Sequence, residues 1–187
     1  FDWYSRETSD MFGPPETLPY VLGATLPRQN NATLSTKGFE LAISWNDRIS
    51  SNFSYNARVS VGDNKSKILR YNNQKGLIDD WYVGKEYGEI WGFETDGLIQ
   101  TQGEPMANQT RYYPTWAPGD MKYKDLNGDG FVNEGTRTLG DHGDLKVIGN
   151  SAPRFNYGFT GGVNWKAFDF NMFWQGLGKH DYYPGAN

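Results

Sequence analysis

The 187-residue chain contains no cysteine and only two histidines. The absence of cysteine excludes a disulfide-stapled scaffold and any thiolate metal site. The formal net charge is −4, so the chain lacks the excess of lysine and arginine that neutralises a phosphate backbone, and nucleic acid is not an expected partner. The sequence has no Ser/His/Asp, Cys/His or phosphate-loop pattern, and we therefore expect no enzymatic activity.

Long apolar runs are missing as well. No segment approaches the roughly 18 consecutive apolar residues of a membrane-spanning helix. The low mean hydropathy of −0.73 is compatible with membrane-spanning strands, because each of these needs only about 10 alternating residues. Aromatic residues make up 16% of the chain, and 23 residues are glycine. This composition favours strands and turns and predicts an all-β fold.

Four segments alternate between apolar and polar residues, the period-two pattern of a strand with one apolar face. They are residues 39–45, 53–61, 155–165 and 168–175. The residues opposite the apolar positions are mostly Gly, Asn, Ser and Thr, and residues 1–8 are expected to end an earlier strand. The pattern predicts four or five antiparallel strands.

Short and long connections alternate between these segments. The short ones are about seven residues at 46–52 and two at 166–167, and the long ones lie near 10–37 and 63–153. Outer-membrane barrels combine tight turns at one end with long loops at the other. The connection at 63–153 is too long to be a bare loop, and we expect it to be folded.

The placement of aromatic residues also fits a barrel. Trp45, Phe53, Trp165 and Phe168 flank the two short turns on the apolar side, where an interfacial aromatic girdle would lie. The alternative is a soluble β-sandwich, which buries the same face in a core. The polar opposite face favours a wide hydrated lumen over the sandwich.

Residues 125–133, DLNGDGFVN, match the first nine positions of an EF-hand-type calcium loop. Calcium takes six to eight oxygen ligands. The spacing offers side-chain oxygens and one backbone carbonyl, from Asp125, Asn127, Asp129, Phe131 and Asn133. The alternative is a turn rich in Asp and Asn that binds no metal.

The twelfth position of this loop, where a bidentate glutamate is expected, is Thr136. A substitute ligand must come from elsewhere, and Glu134, Asp141 and Asp144 are candidates. We favour Asp144, because residues 140–144 are rich in turn formers and can fold back. The predicted role of calcium is to stiffen the long connection.

The same connection concentrates aromatic side chains. They could stack on sugars or pack against a partner protein, or they could form the small core of the connection itself. These residues are Trp81, Tyr82, Trp91, Tyr112, Tyr113 and Trp116.

Six segments occur in the order found in the SusC/RagA-type TonB-dependent outer-membrane transporters. The longest are GEIWGFETDG at 88–97, PGDMKYKDLNGDG at 118–130 and VIGNSAPRFNYG at 147–158, with shorter matches at 22–24, 29–32 and 36–41. The chain therefore resembles a piece of the C-terminal half of such a barrel, without the plug or the TonB-contacting region.

This resemblance implies a bacterial outer-membrane barrel of about 22 strands, energised by TonB and working with a SusD-like surface lipoprotein that delivers glycans or peptides. Residues 1–62 would then be barrel strands with one extracellular loop. Residues 63–153 would be a long extracellular connection carrying the calcium loop, and residues 154–187 a barrel hairpin and the start of the next loop. The alternative function is a soluble, secreted, calcium-stabilised domain that binds carbohydrate or mediates adhesion.

Overall fold

The computed structural model describes residues 1–13 and 29–184. All regular structure in these ranges is β-strand, so the all-β prediction is confirmed. Among the described residues, no helix has the length and apolar character needed to cross a membrane. The strands are β1 (Asp2–Phe12), β2 (Asn30–Ser50), β3 (Phe53–Arg70), β4 (Glu89–Phe93), β5 (Thr95–Leu98), β6 (Met121–Tyr123), β7 (Leu145–Asn150), β8 (Arg154–Trp165) and β9 (Phe168–Lys179).

Five strands form the main sheet, in the order β1-β2-β3-β8-β9. Every neighbouring pair in this sheet is antiparallel. The four predicted strands and the strand expected at the start of the chain are therefore all present, side by side.

The register places the apolar side of each strand on the same face of the sheet. One row across four strands reads Ile43, Val59, Phe159 and Trp174. Residues directly opposite one another in an antiparallel pair project to the same side. The next row, one residue along, consists of Ala42, Ser60, Gly158 and Gln175. The sheet thus has one apolar face and one polar face.

Both short turns lie at the same end of the sheet. Lys166 donates a backbone hydrogen bond of 2.8 Å to the carbonyl of Asn52, which ties the two turns together. The aromatic residues near them are exposed: Trp45 by 61% and Phe168 by 72%. The Trp165 and Phe168 rings stack with centroids 6.4 Å apart.

Several predicted boundaries are wrong. The turn between β2 and β3 is two residues, 51–52, rather than seven, β2 begins at Asn30, and β3 continues to Arg70. These extensions carry Lys37, Lys65 and Lys67 on the continuation of the apolar face, and Thr and Ser on both faces, so their hydrophobic period vanishes although the backbone ladder continues. Residues 14–28 of the predicted loop, with the family segment at 22–24, lie outside the described residues, as do residues 185–187.

The long connection is folded, with two small antiparallel sheets, β4-β7 and β5-β6. Only Glu94 separates β4 from β5, so these two strands follow one another almost directly. Residues 84–87 extend the main sheet alongside β3. Gly84 donates to the Ile68 carbonyl at 2.8 Å and Tyr87 donates to the Ser66 carbonyl at 2.9 Å.

A small apolar cluster anchors the connection to the end of the sheet. Ala32, Ile68 and Tyr71 are buried together, and Leu34 and Trp81 pack against them. Ala32 and Leu34 belong to the polar face by register, so this cluster lies on the side opposite the apolar face. The cluster therefore leaves the apolar face of the sheet exposed.

Candidate functional site

The predicted calcium loop leaves β6 and curls around the carboxylate of Asp125. Its Oδ1 accepts a hydrogen bond of 2.6 Å from the Gly128 N–H, and its Oδ2 accepts one of 2.8 Å from the Gly130 N–H. Gly128 and Gly130 have φ values of +77° and +85°, which glycine adopts at little cost. The two glycines therefore let the backbone close around the first candidate ligand.

The next three candidate side chains follow the same curl. Asn127 Oδ1 accepts from the Asp129 N–H at 3.0 Å, and Asp129 Oδ1 accepts from the Phe131 N–H at 2.8 Å. The Asn133 amide lies 3.4 Å from Asp129 Oδ2 and 3.5 Å from the Phe131 carbonyl. The Phe131 N–H, followed by the Asn127 amide, lowers the pKa of Asp129. The loop thus gathers the predicted oxygen donors within a few residues.

Asp144 closes the loop from outside it. Its carboxylate is fully buried, with 0% exposure. Oδ1 accepts from the Leu126 N–H at 2.6 Å and from the Asn127 N–H at 3.3 Å, and Oδ2 accepts from the Asn133 N–H at 2.8 Å. A buried carboxylate is costly unless it is hydrogen-bonded, and these three donors meet that need. The structure therefore brings Asp144 to both ends of the loop; its role as a calcium ligand stays a prediction.

The two other candidates for the missing position are engaged elsewhere. Glu134 pairs with Arg137 at 2.6 Å, and Arg137 also binds Asp79. The Asp141 carboxylate accepts from the Thr136 N–H at 3.0 Å. Within the described ranges, no three His, Cys, Asp or Glu side chains come together as a metal cluster. Any cation in this loop would therefore need the amide and carbonyl oxygens as well.

A buried glutamine holds the strand that leads into the loop. Gln109 is 1% exposed, donates to the Met121 carbonyl at 2.8 Å and accepts from the Tyr123 N–H at 3.1 Å. Beside it, the Asn108 N–H donates to the Gly130 carbonyl at 2.8 Å. The sequence carries no local signal for this support, because its hydrogen bonds join segments that are distant in the chain.

Glu94 links the pieces of the connection. It lies between β4 and β5, and its carboxylate accepts hydrogen bonds from Lys124, at 2.7 Å, and from Lys146 of β7. These two ammonium groups, Lys124 first, lower the pKa of Glu94 to about 2. Lys124 immediately precedes Asp125, so this pairing fixes the entry to the loop. Sequence reasoning missed it because the two lysines are far apart in the chain.

Most of the connection's aromatic side chains pack inward. Trp81 packs on Tyr71 with centroids 6.0 Å apart, and Tyr112 packs on Phe93 at 5.2 Å. The Tyr82 hydroxyl and the Trp91 indole N–H both donate to the Glu89 carboxylate. Tyr113 differs, because it is 60% exposed while its ring contacts Trp116. Tyr112 is itself 36% exposed, so the small-core interpretation describes Trp81, Tyr82 and Trp91, which are partly buried.

Similarity to known proteins points in one direction. Two proteins of Formosa agariphila, TonB-dependent receptor P3 and TonB-dependent receptor P26, are 27% and 24% identical to the chain over 94% and 97% of its residues. No protein-family model matches the chain. Among solved structures, the RagAB peptide transporter matches with a TM-score of 0.64 at 16% identity, covering 92% of this chain. The open-open state of the RagAB peptide importer gives 0.62 over 94%.

The resemblance to SusC/RagA-type TonB-dependent transporters is thereby confirmed. The chain spans 18% of the length of each Formosa relative and 18% of the matched RagAB chains. Because the identity to the RagAB structures is only 16%, the structural match supports the fold and nothing further. The relatives are named as receptors and as a transporter, in agreement with the expectation of no enzymatic activity.

We expect the Glu94 pairing to survive mild acid. Because the pKa of Glu94 is depressed, its contribution is complete above the ordinary value of 4.5 and is lost as the pH falls through about 2. Pepsin cleavage at residues 89–93, normalised to the unfolded chain, should therefore stay slow at pH 4 and accelerate near pH 2. Glu94→Gln should already be cleaved faster at pH 4. Acceleration of the unmodified protein centred near pH 4.5 would contradict the pairing.

Proposed function

We propose that the chain is a stretch of barrel wall, with a folded extracellular connection, in a TonB-dependent outer-membrane importer. The observation that carries this proposal is the exposed apolar face that the register builds across the main sheet. Ile43, Val59, Phe170 and Trp174 are each at least half exposed, although all are apolar. In water such a surface would be costly, at about 25 cal/mol per Å²; against lipid it is favourable.

The polar face fits the other side of a barrel wall. Its central rows contain Asn56, Gly162 and Asn171 in register, and then Arg58 and Thr160. Apolar-out and polar-in alternation is typical of strands between lipid and a hydrated lumen. Five strands cannot close a wide barrel alone, so further strands must pair with the edges of β1 and β9. A larger barrel of about 22 strands is our proposal for the whole protein.

The soluble alternative fits less well. A sandwich requires a second sheet packed about 10 Å from the apolar face. The described part of the connection anchors instead through Ala32, Ile68 and Tyr71, on the opposite side. Exposure of Trp165 and Phe168 around the short turns agrees better with a membrane-interface girdle than with a core.

The importer would work with a SusD-like lipoprotein at the cell surface and with TonB on the periplasmic side. The long connection lies at the end of the sheet away from the short turns, where extracellular loops are found in outer-membrane barrels. Exposed Tyr113 and Val83 give it apolar surface for a partner protein or for a substrate. We propose import of oligosaccharides or peptides; the peptide option is supported by the fold match to the RagAB peptide transporter.

We also propose that the loop at 125–133 binds calcium. Asp125, Asn127, Asp129, Asn133 and the Phe131 carbonyl would supply oxygen ligands, and Asp144 would complete the set or hold the loop closed. Each carboxylate oxygen of Asp125 accepts one backbone hydrogen bond, which leaves lone pairs for a hard cation. The bound ion would neutralise the carboxylates and stiffen the connection.

The membrane proposal predicts opposite outcomes for lysine at two neighbouring positions of β3. In the full-length protein, Val59→Lys should sharply reduce the folded barrel in outer membranes, because lysine on the lipid face costs about 2–4 kcal/mol near the bilayer midplane. Ser60→Lys is the matched control on the lumen face and should accumulate normally. Folded protein is measured by heat-dependent gel mobility of membrane fractions. Recovery of the unmodified protein as a soluble species without detergent would refute the proposal.

The calcium proposal predicts that added calcium protects residues 125–133 from amide hydrogen exchange in the full-length protein. Asp129→Asn should abolish the gain because it removes a charged ligand. Asp120→Asn is the control: Asp120 accepts from the Ala117 N–H at 2.9 Å in a turn outside the loop, and the gain should persist. If calcium changes nothing in the unmodified protein, the loop is a metal-free turn held by its own hydrogen bonds.

A further inference from the structure

A basic patch borders the apolar face at the end of the sheet away from the short turns. It lines an open cavity of about 500 Å³. Its walls combine ammonium groups with apolar side chains, and we define the rim patch by six of the lining residues: Trp3, Lys37, Phe39, Lys65, Lys67 and Leu69. The cavity thus offers both positive charge and apolar surface to a ligand.

The register places the lysines on the continuation of the apolar face. Lys37 lies opposite Lys65, and Phe39 lies opposite both Trp3 and Asp63. Residues two apart in a strand share a face and are about 7 Å apart along it. The lysines therefore begin one step beyond Phe39, where the apolar rows end.

The patch keeps an excess of positive charge. Lys37 is exposed and has no ion pair within the described residues. Lys65 and Lys67 share a single carboxylate, that of Glu86, at 3.4 Å and 3.5 Å. Glu7 borders the patch, since it lies opposite Ser35 on β1. Three lysines thus face two carboxylates.

The neighbouring acidic residue does not cancel this charge. Asp63 is buried and is held by the Nε and Nη2 of Arg154, and its Oδ1 also accepts the Phe155 N–H at 3.3 Å. This pair is satisfied internally, so it contributes little net charge to the cavity. The lysines remain available to an anionic ligand.

We infer that the rim patch binds the phosphate of an anionic membrane-lipid headgroup, with Trp3 and Phe39 against the upper part of its acyl chains. The inference rests on the proposed function, because it needs the apolar face to lie in a membrane. Long lysine stems cover apolar surface while their ammonium groups reach the headgroup level. A free phosphate ion would use the lysines but would leave the apolar half of the cavity without a role.

The test uses the full-length protein purified in detergent. It is titrated with bisphosphorylated lipid A or with the same lipid after removal of its phosphates. Native mass spectrometry measures the binding of each lipid. The phosphorylated lipid should bind at least about tenfold more tightly, since each lysine near an anionic headgroup contributes roughly a fivefold factor. Combined Lys37→Gln, Lys65→Gln and Lys67→Gln should remove that preference. Lys75→Gln, an exposed lysine of the long connection, is the matched control and should not.

The outcomes separate this inference from the proposed function. Equal binding of the two lipids, or an unchanged preference in the triple variant, overturns the inference while leaving the barrel proposal intact. Full competition by millimolar inorganic phosphate, without any contribution from the acyl chains, also overturns the choice of a lipid. A protein that needs no detergent overturns both. If the triple variant does not fold, the single Lys37→Gln variant, which breaks no described ion pair, should still weaken the preference about fivefold.

Discussion

The cross-strand register of the main sheet is the constraint on which the other features depend. Side chains alternate along each strand, so a slip of one residue between β2 and β3 would exchange Ile43 for Ala42 beside Val59 and mix the two faces. With the observed register, four strands combine their apolar positions into one surface. That surface, and not any single side chain, distinguishes a sheet suited to lipid from a sheet with two half-polar faces.

The long connection depends on the same register at the far end of the sheet. β3 extends past the end of β8, which leaves the backbone groups of Ser66 and Ile68 free to pair with residues 84–87. The polar face provides Ala32 and Leu34 for the cluster around Ile68, so the connection extends from the polar face and leaves the apolar face open. From this anchor, β4 to β7 hold the loop at 125–133 through Glu94 and Gln109. Folded structure therefore supports the loop on the sides that Glu94 and Gln109 contact.

Sequence reasoning located the strands wherever one face is apolar. The segments at 155–165 and 168–175 were clear because Tyr157, Phe159, Phe170 and Trp174 alternate with small or polar residues. It failed beyond the apolar rows, where Lys37, Lys65 and Lys67 replace aromatic residues and the period-two pattern loses its contrast. It also missed the boundary at 51–52, because Asp47 and Arg48 resemble a polar turn although they still belong to the ladder.

The candidate site was predictable in part for a related reason. The spacing of Asp125, Asn127 and Asp129 is a local signal, and local hydrogen bonds shape the curl from Asp125 to Phe131. The choice of Asp144 came from turn-forming residues in the chain, and the fold places it against Leu126 and Asn133. By contrast, the pairing of Glu94 with Lys124 and Lys146 depends on tertiary structure. The spacing of residues along the sequence does not predict ion pairs between distant segments.

The measurement that most directly tests the lipid-facing surface is spin-label accessibility at adjacent positions of β2, in the full-length protein reconstituted in bilayers. This chain has no cysteine, so a cysteine introduced at Ile43 or at Ser44 carries the one label within it. We predict that a label at 43 is relaxed by oxygen, which concentrates in lipid, and that a label at 44 is relaxed by a water-soluble nickel complex. A label at 43 that neither reagent reaches, as in a protein core, would contradict the barrel-wall assignment.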